Sequence, residues 1–567
     1  MKNRFFISAC ILFACIGANA QAPVKEMADP HPSPAEVWNN VNATSFGWGT
    51  VNTKYKIDDV PVLAKSLSLS GWRGERVFAQ AVLVSPQAVS SFRFSVSDLK
   101  SGKNTIPSSA VKRYFETYVM GEVKEQGGDT VLCPDRLVEE ESISVHAKTV
   151  RPVWLTISIP ADAAPGKYKA TLTANCDGSA MTIPFTIEVG KRVLPEPKDW
   201  KFHLDLWQNP YAVARYYDVP LWSKEHFDLM RPSMELLAAA GQKVITCSVI
   251  NRPWNGQTYD PFESMIGKMK HLDGTWSYDY SVFDRWVEFM MSCGITEQID
   301  CYTLVPWHNR FDYYDCASNS VRYITSKAGE QAYYDFIAPF LRDLSKHLRQ
   351  KGWFDRTYIA MDERPAAQMD AVWRIIQEVD PEFKIEGAAN YNIESESADR
   401  IDDLSVGVHY NLIKGEALER RKAKGQKITF YTCCTSEWPN TFTFSRPAEA
   451  TYLCLHALTC GYDGYLRWAY NSWPPQPNQN SRYRSKDWAS GDSFLAYPEG
   501  SSIRMERLTE GIQDFEKVRL LRPTLTPAQQ KQLDEVLDLF TPGKFKTDED
   551  AAGMVRQLND LLWKFSK

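Results

Sequence analysis

The sequence predicts a β-sandwich followed by a (β/α)8 TIM-like barrel with a C-terminal helical extension. Two observations predict this fold: short strands of alternating polarity occupy the N-terminal third, and strand-like runs then alternate with amphipathic helices. A proline-containing segment at 193–198 separates the two patterns and is typical of a domain linker. We predict a sandwich over 21–195, a barrel over 196–523 and a helical extension over 524–567.

The sandwich prediction depends on hydrophobic residues that recur at every second position. Such alternation places one face of each strand in a core, and Gly, Pro and Asp residues between the runs predict turns. The alternating sets are Val77, Ala79, Ala81 and Leu83; Phe92, Phe94 and Val96; Val153, Leu155, Ile157 and Ile159; and Tyr168, Ala170, Leu172 and Ala174.

The barrel prediction depends on eight strand-like runs separated by helix-like stretches, the weakest of which follow the fifth and sixth runs. A doubly wound open sheet is the alternative, but no Gly-x-Gly-x-x-Gly turn follows the first run. The predicted strands are Phe202–Trp207, Lys243–Val249, Gln298–Val305, Thr357–Met361, Lys384–Ala389, Leu404–Tyr410, Lys427–Thr432 and Gly464–Trp468. The predicted helices include Lys224–Ala240, Tyr280–Cys293, Glu330–Gln350, Ala366–Val379, Pro447–Cys460 and Ser502–Leu521.

The N-terminus has the order of a secretory signal peptide: basic residues, an apolar run and small residues. It predicts a signal peptide over 1–20, cleaved after Ala18-Asn-Ala20, and an exported protein that is periplasmic or secreted. A lipoprotein site before Cys15 is the alternative, although Phe13 is bulky for it. No later run has the length of a membrane-spanning helix.

Composition narrows the classes of ligand. A formal net charge of −5 gives no indication of a nucleic-acid partner, and the 12 cysteines show no Cys-x-x-Cys pair or zinc-ligand spacing. Aromatic residues make up 13% of the chain, with 18 Trp and 26 Tyr. Because sugar rings stack their C–H faces on such side chains, this favours a carbohydrate ligand.

Ligand-binding groups of a barrel collect at the carboxyl ends of its strands. The predicted ends are rich in aromatic, amide and hydroxyl side chains but carry few carboxylates, as a sugar pocket requires. They are Asp205 and Trp207; Asn251, Arg252 and Trp254; Trp307 and His308; Asp362 and Glu363; Asn390 and Tyr391; His409 and Tyr410; Glu437 and Trp438; and Trp468 and Tyr470. From these and Tyr431 we predict substrate-binding roles for Trp207, His308, Asn390, Tyr410, Tyr431, Trp438 and Trp468.

The strongest candidate catalytic feature is Asp362-Glu363, which ends an apolar strand just before Pro365. A second such dipeptide, Asp534-Glu535, lies in an amphipathic helix pattern and is expected to be solvated. Strict strand alternation would send Asp362 and Glu363 to opposite faces. The chain is expected to turn there, however, because Pro365 biases the preceding residue to an extended conformation.

Two schemes for glycosidic bond cleavage fit these residues, both with Glu363 as proton donor. In the first, Glu437 attacks the anomeric carbon. In the second, the substrate's own 2-acetamido oxygen attacks, and Asp362 orients the acetamido N–H. Tyr410 or Tyr431 is then a candidate to bind the acetamido oxygen.

Two further segments carry a resemblance to a known family. The run Tyr497-Pro-Glu-Gly-Ser-Ser-Ile-Arg504, which continues through Arg507 and Asp514 to Leu521, resembles the C-terminal signature of glycoside hydrolase family 123. Gly71-Trp-Arg-Gly-Glu-Arg76 in the sandwich also resembles that family, and Asp362-Glu363 lies where its catalytic pair is expected.

This resemblance implies a retaining exo-β-N-acetylgalactosaminidase that uses the acetamido scheme without metal or organic cofactor. The implied substrate is a glycan or glycosphingolipid with terminal β-GalNAc, with Glu363 as general acid/base and Asp362 as the acetamide-orienting residue. The alternatives are a two-carboxylate retaining glycosidase that uses Glu363 and Glu437, and a non-catalytic carbohydrate-binding protein. The helix from Arg504 to Leu521 is expected to dock on the barrel through Leu508, Ile512, Phe515 and Val518.

Overall fold

The computed structural model describes residues 25–123, 129–390, 395–409, 413–434, 438–483, 488–541 and 548–567. The predicted signal peptide and Cys15 lie outside these ranges, as do Tyr391, Tyr410 and Glu437. In the described part of the chain, no helix has both the length and the apolar character needed to span a membrane.

The N-terminal domain is the predicted β-sandwich of two antiparallel-rich sheets. Its strands are β1 (Ser45–Trp48), β2 (Leu67–Arg73), β3 (Arg76–Ser85), β4 (Val89–Val96), β5 (Leu99–Ser101), β6 (Asn104–Ile106), β7 (Val111–Glu122), β8 (Thr130–Val138), β9 (Ile143–Val145), β10 (Thr149–Ser158), β11 (Gly166–Cys176) and β12 (Ser179–Val193). The predicted alternating residues form the core between the sheets, except that Val96 is only partly buried there.

The remaining strands begin with β13 (His203–Leu206), β14 (Val244–Ser248), β15 (Gly267–Lys270), β16 (Trp276–Asp279), β17 (Gln298–Tyr302), β18 (Arg310–Asp315) and β19 (Ser320–Thr325). They continue with β20 (Thr357–Met361), β21 (Lys384–Ala389), β22 (Asp403–Gly407), β23 (Lys427–Tyr431), β24 (Gly464–Arg467) and β25 (Ser501–Ser502). Eight of those described form a parallel sheet in the order β13-β24-β23-β22-β21-β20-β17-β14, a nearly closed barrel. These eight are the predicted strands, so the barrel prediction is confirmed.

The barrel closes between β13 and β14 largely through side-chain amides. The Gln242 side-chain oxygen accepts from the Leu206 N–H at 3.0 Å, and the Gln208 oxygen accepts from the Thr246 N–H at 2.9 Å. These side-chain amides form hydrogen bonds with backbone N–H groups that would otherwise pair with a neighbouring strand in a continuous sheet. On the other side of β13, a Cβ atom at Gly464 would lie 1.9 Å from the His203 carbonyl oxygen, so this contact requires glycine.

The helices form the outer layer of the barrel and the C-terminal extension. The two that follow the fifth and sixth barrel strands, α6 (Ser395–Ala398) and α7 (Glu416–Ala423), are short, in line with the weak pattern there. The helices are α1 (Pro210–Tyr217), α2 (Lys224–Ala239), α3 (Ser281–Ser292), α4 (Gln331–Lys351), α5 (Ala366–Val379), α6 (Ser395–Ala398), α7 (Glu416–Ala423), α8 (Pro447–Cys460), α9 (Ile503–Leu521), α10 (Pro527–Leu537) and α11 (Asp548–Ser566).

Helix α9 joins the two domains. Its buried apolar residues include Leu508, Ile512, Phe515 and Val518, and the helix packs on α8 of the barrel. On the sandwich side, β25 pairs with β8, and the Arg504 guanidinium forms a buried ion pair with Asp135 at 2.9 Å. These contacts give the C-terminal signature a structural role at the domain interface.

The barrel interior is unusually polar below the strand ends. Asp205, Asp300, Glu386 and Asp403 are all buried there, and His203 lies 2.9 Å from Asp403. Burial, and then the negative charge of Asp403, raises the pKa of Asp205 to about 8. Burial, and then the neighbouring acids, raises the pKa values of Asp300 and Glu386 as well. The Asp205 carboxyl is therefore largely protonated at neutral pH, whereas, despite burial, the neighbouring His203 lowers the pKa of Asp403 and favours its charged form.

The protonated interior predicts a loss of stability at alkaline pH. A carboxyl with a raised folded-state pKa stabilises the fold below its unfolded pKa, and this contribution disappears as the pH rises through the folded value. We expect Asp205→Asn to reduce the decline in unfolding free energy between pH 5 and 9, by about 1.4 kcal/mol per pH unit at most. Urea unfolding at pH 5, 7 and 9 measures this, with the exposed Asp560→Asn as control. Parallel curves for wild type and Asp205→Asn would contradict the assignment.

Candidate active site

Asp362 and Glu363 directly follow β20, whose five residues are all buried, and α5 begins three residues later at Ala366. Both carboxyl groups line the same cavity at the carboxyl end of the barrel strands. Strand alternation no longer applies because the chain is turning into the helix. Side chains on neighbouring residues can therefore share one site.

The cavity has a volume of about 200 Å³ and lies within the strand ends of the barrel. It combines aromatic side chains with amide, carboxyl and thiol groups, as a site for a polar ring with apolar faces requires. Its lining consists of Trp207, Gln257, Trp307, Asp362, Glu363, Ala388, Asn390, Gly407, Val408, His409, Tyr431, Cys433, Cys434, Leu466, Trp468, Trp488 and Asp492.

Glu363 is held by two donors from neighbouring strands. The Tyr431 hydroxyl, at the end of β23, donates to Oε1 at 2.5 Å, and Asn390 Nδ2, just after β21, donates to Oε2 at 2.9 Å. Burial raises the pKa of Glu363, and the charge of Asp362 adds to this, whereas the Tyr431 and Asn390 hydrogen bonds oppose it. The net upward shift favours the protonated form that a general acid needs.

Asp362 is more deeply buried than its neighbour, with 7% of its surface exposed. The indole N–H of Trp307 donates to Oδ2 at 2.8 Å. Arg364, two residues later in the sequence, donates instead to the Val305 and Glu363 carbonyl oxygens, each at 2.9 Å. Asp362 thus remains a hydrogen-bond acceptor with one carboxyl oxygen fixed by Trp307.

An aromatic cluster forms one side of the cavity. Trp207 stacks on Trp254 with ring centroids 4.9 Å apart. Its ring centroid also lies 4.6 Å from that of Tyr302. The Trp207 indole N–H donates to Asp205 at 3.2 Å, which ties this wall to the polar barrel interior. Trp468 and Trp488 add an edge-to-face pair at 5.9 Å. Rigid indole rings of this kind suit the apolar face of a sugar.

Four of the predicted substrate-binding residues line this cavity: Trp207, Asn390, Tyr431 and Trp468. His308 is exposed, because a turn from Pro306 to Asn309 directs the chain away, and its neighbour Trp307 lines the cavity instead. Trp438 is 42% exposed and is not among the lining residues. Tyr410 and the alternative nucleophile Glu437 lie outside the described residues.

Asp492 is a cavity carboxyl that sequence reasoning missed. It accepts from Arg467 Nη2 at 2.8 Å, and both side chains are buried. It lies in the long segment between β24 and β25, where no strand end or motif marks it. The one available signal is Arg467, a charged residue at the end of a predicted buried strand, which requires an acidic partner. Gln257, Cys433, Cys434 and Trp488 were missed for the same lack of local pattern.

The Tyr431 hydrogen bond predicts a measurable change in pH dependence. Because this bond lowers the pKa of Glu363, Tyr431→Phe is expected to raise that pKa and move the alkaline limb of kcat/KM to higher pH. We expect a shift of about one pH unit, the size of one hydrogen bond to a charged group. A pH–rate profile on an aryl glycoside measures it. The control is Tyr334→Phe, which removes a similar hydroxyl-to-carboxylate hydrogen bond, to Glu378, from a residue that does not line the cavity. An alkaline limb that moves to lower pH would contradict this account.

The arrangement suits acid catalysis beside a carboxylate acceptor. Glu363 is a half-buried acid with a raised pKa, and Asp362 is a buried acceptor on the adjacent residue. Within the described ranges, no group of three or more His, Cys, Asp or Glu residues is placed to hold a metal ion. The raised pKa of Glu363 suits it to donate a proton to a leaving oxygen, and the buried Asp362 carboxylate is placed to accept a hydrogen bond from a neighbouring N–H.

Comparison with known families gives two matches on this chain. The model described as glycoside hydrolase 123, catalytic domain, matches residues 207–521, and the glycoside hydrolase 123 N-terminal domain matches residues 48–175. None of the curated proteins compared with the chain is a significant match.

Among solved structures, the chain is similar to a family 123 glycoside hydrolase from Clostridium perfringens that was studied for glycolipid glycan hydrolysis. The two share 26% identity with a TM-score of 0.84, covering 92% of this chain and 98% of the other. A GH10 xylanase with a bacterial Ig-like domain from termite gut is more remote, with 11% identity and a TM-score of 0.33 over 80% of this chain and 100% of the other.

Proposed function

The chain belongs to glycoside hydrolase family 123, and from that premise we propose that it removes terminal β-N-acetylgalactosamine with retention, using the substrate's acetamido group as nucleophile. The observation that carries this proposal is the placement of Asp362 and Glu363 side by side in one cavity, each with its own hydrogen-bond donors. Such a pair matches a scheme that needs one proton donor and one orienting carboxylate.

In the first step, Glu363 donates its proton to the glycosidic oxygen as the bond to the anomeric carbon breaks. The acetamido carbonyl oxygen attacks the same carbon from the opposite face and forms a cyclic oxazolinium intermediate. In the second step, Glu363 takes a proton from water, which attacks the anomeric carbon and reopens the ring. Two inversions leave the configuration retained, and Glu363 ends protonated again.

In this proposal, the Asp362 carboxylate accepts a hydrogen bond from the acetamido N–H. Holding that N–H aims the carbonyl oxygen at the anomeric carbon, and the carboxylate charge stabilises the positive charge that develops on the ring. Because Trp307 occupies Oδ2, the other oxygen, Oδ1, is the acceptor assigned to the substrate. The low exposure of Asp362 strengthens this electrostatic contribution.

Tyr431 and Asn390 hold Glu363 before the substrate arrives. When the acid has given up its proton, both donors stabilise the resulting carboxylate, which must act as base in the second step. Tyr431 also retains the predicted option of donating to the acetamido oxygen if its hydroxyl turns away from Glu363. Trp207 and Trp468 supply apolar surface for the sugar ring.

The cavity and a similar solved structure support the proposed substrate class. A cavity of about 200 Å³ with the acid in its lining suits a terminal sugar, and hence exo action. The similar C. perfringens enzyme was studied for glycolipid glycan hydrolysis, which supports glycans or glycolipids as the substrate class here. Terminal β-GalNAc is the sugar that we propose within that class.

The test is hydrolysis of p-nitrophenyl β-GalNAc, β-GlcNAc and β-galactoside by the wild type. We expect turnover of the N-acetylated sugars and a rate on the galactoside at least about a thousandfold lower, since that sugar lacks the nucleophile. Comparable turnover of the galactoside would contradict the proposal and favour a two-carboxylate scheme with Glu437. The β-GalNAc to β-GlcNAc ratio tests the galacto preference separately.

A further inference from the structure

Trp307 contacts the orienting carboxylate directly. Its indole N–H donates to Asp362 Oδ2 at 2.8 Å, and its backbone N–H donates to the Pro253 carbonyl oxygen at 3.1 Å. The loop that carries Trp307 is therefore fixed to a neighbouring loop of the barrel. The indole presents its donor at a defined place rather than from a free side chain.

The Trp307 ring has a fixed neighbour as well. The Arg364 guanidinium carbon lies 5.6 Å from the ring centroid, and Arg364 is itself held by hydrogen bonds to the Val305 and Glu363 carbonyl oxygens. The ring nevertheless remains 42% exposed while it lines the cavity. A tryptophan whose role is packing is usually buried, whereas the Trp307 indole leaves part of its ring face exposed beside the carboxyl pair. That exposed face is available to contact a ligand in the cavity.

We propose that Trp307 positions Asp362 for acetamido participation and forms the platform for the leaving-group sugar. This inference rests on the proposed function. The indole N–H fixes one carboxyl oxygen and so limits rotation of Asp362, which leaves Oδ1 aimed at the acetamido N–H. A leaving-group sugar stacked on the ring stabilises the ring orientation that holds Asp362, so the two roles reinforce each other.

Two substitutions separate these roles. Trp307→Phe keeps a large ring but removes the N–H donor. Trp307→His keeps an N–H, because the imidazole Nε2 occupies the place of the indole Nε1, but it removes the six-membered ring of the platform. Each variant retains what the other loses, so each controls for folding of the other. Circular dichroism and melting temperature complete that control.

The readouts are kcat and KM on p-nitrophenyl β-GalNAc, KM on an oligosaccharide with terminal β-GalNAc, and inhibition by two probes. The first probe is the thiazoline of GalNAc, an analogue of the cyclic intermediate that uses Asp362. The second is galactose, which has no acetamido group. We expect Trp307→Phe to lower kcat by about 10- to 100-fold and to weaken thiazoline inhibition by a similar factor, with galactose inhibition unchanged.

For Trp307→His, which keeps an N–H donor, we expect a smaller loss of kcat on the aryl glycoside than for Trp307→Phe, and KM on the oligosaccharide raised about tenfold. A Trp307→Phe variant with kcat and thiazoline inhibition within about twofold of wild type overturns the positioning role. An unchanged oligosaccharide KM for Trp307→His overturns the platform. A wild type that hydrolyses the plain galactoside as well as the N-acetylated sugar overturns the proposed function and this inference with it, whereas the first two outcomes leave the function standing.

Discussion

Replacing Glu363 with Gln is expected to lower kcat/KM by about 10²- to 10⁴-fold, because the variant has no proton to donate or accept. The loss should depend on the leaving group. p-Nitrophenolate is a good leaving group and departs with little protonation, whereas a sugar hydroxyl must be protonated as it leaves. We therefore expect the smaller loss on p-nitrophenyl β-GalNAc and the larger on an oligosaccharide, measured with matched enzyme concentrations.

The chain supplies its own matched control for this experiment. Asp534 and Glu535 form the same dipeptide as Asp362 and Glu363. Unlike the cavity pair, Asp534 and Glu535 are exposed to solvent on α10. Glu535→Gln is expected to leave kcat/KM within about twofold of wild type, as surface substitutions usually do. Equal losses of Glu363→Gln on both kinds of leaving group would contradict an acid role for this residue.

Replacing Asp362 with Asn is expected to lower kcat on N-acetylated substrates by about 10²- to 10³-fold. This is the usual effect of removing a group that stabilises the charge developing in a transition state. The substitution should also move the pH profile. The charge of Asp362 raises the pKa of Glu363, so its removal lowers that pKa. A lower pKa ionises the acid at lower pH, and the alkaline limb of kcat/KM should shift downward.

The direction of this shift is diagnostic, because Tyr431→Phe is expected to move the same limb upward. Asp534→Asn on the exposed α10 dipeptide provides the control and should change neither the rate nor the profile. An Asp362→Asn variant that keeps its rate but loses stability would mean that this carboxylate supports the fold and takes no part in the reaction.

The fold was predictable because its signals are local. The eight barrel strands are apolar runs bounded by turn residues, and α9 has buried apolar residues at helical spacing. The polar barrel interior was not predicted, since Asp205, Asp300, Glu386 and Asp403 are distant in sequence and each lies in an otherwise apolar run. Only the barrel topology brings them together, where burial and the neighbouring acids raise the pKa values of Asp205 and Asp300.

The site was predictable to a similar extent. Asp362 and Glu363 stand out because a strand, an acidic pair and a proline are adjacent, and strand ends point to Asn390. Trp307 and His308 are neighbours at one such end, and only the turn after Pro306 decides which of them lines the cavity. Asp492 lies in a long segment after the last strand, where no sequence pattern leads to it.

The central claim is that the acetamido group of the substrate is the nucleophile. The most direct test is a series of aryl β-galactosaminides with N-acetyl, N-fluoroacetyl, N-difluoroacetyl and N-trifluoroacetyl groups. Each fluorine withdraws electrons from the carbonyl oxygen and weakens it as a nucleophile, while the glycosidic bond and leaving group stay the same. We predict that kcat falls steeply and steadily with fluorine number. A kcat that is flat across the series would contradict acetamido participation and indicate an enzyme nucleophile instead.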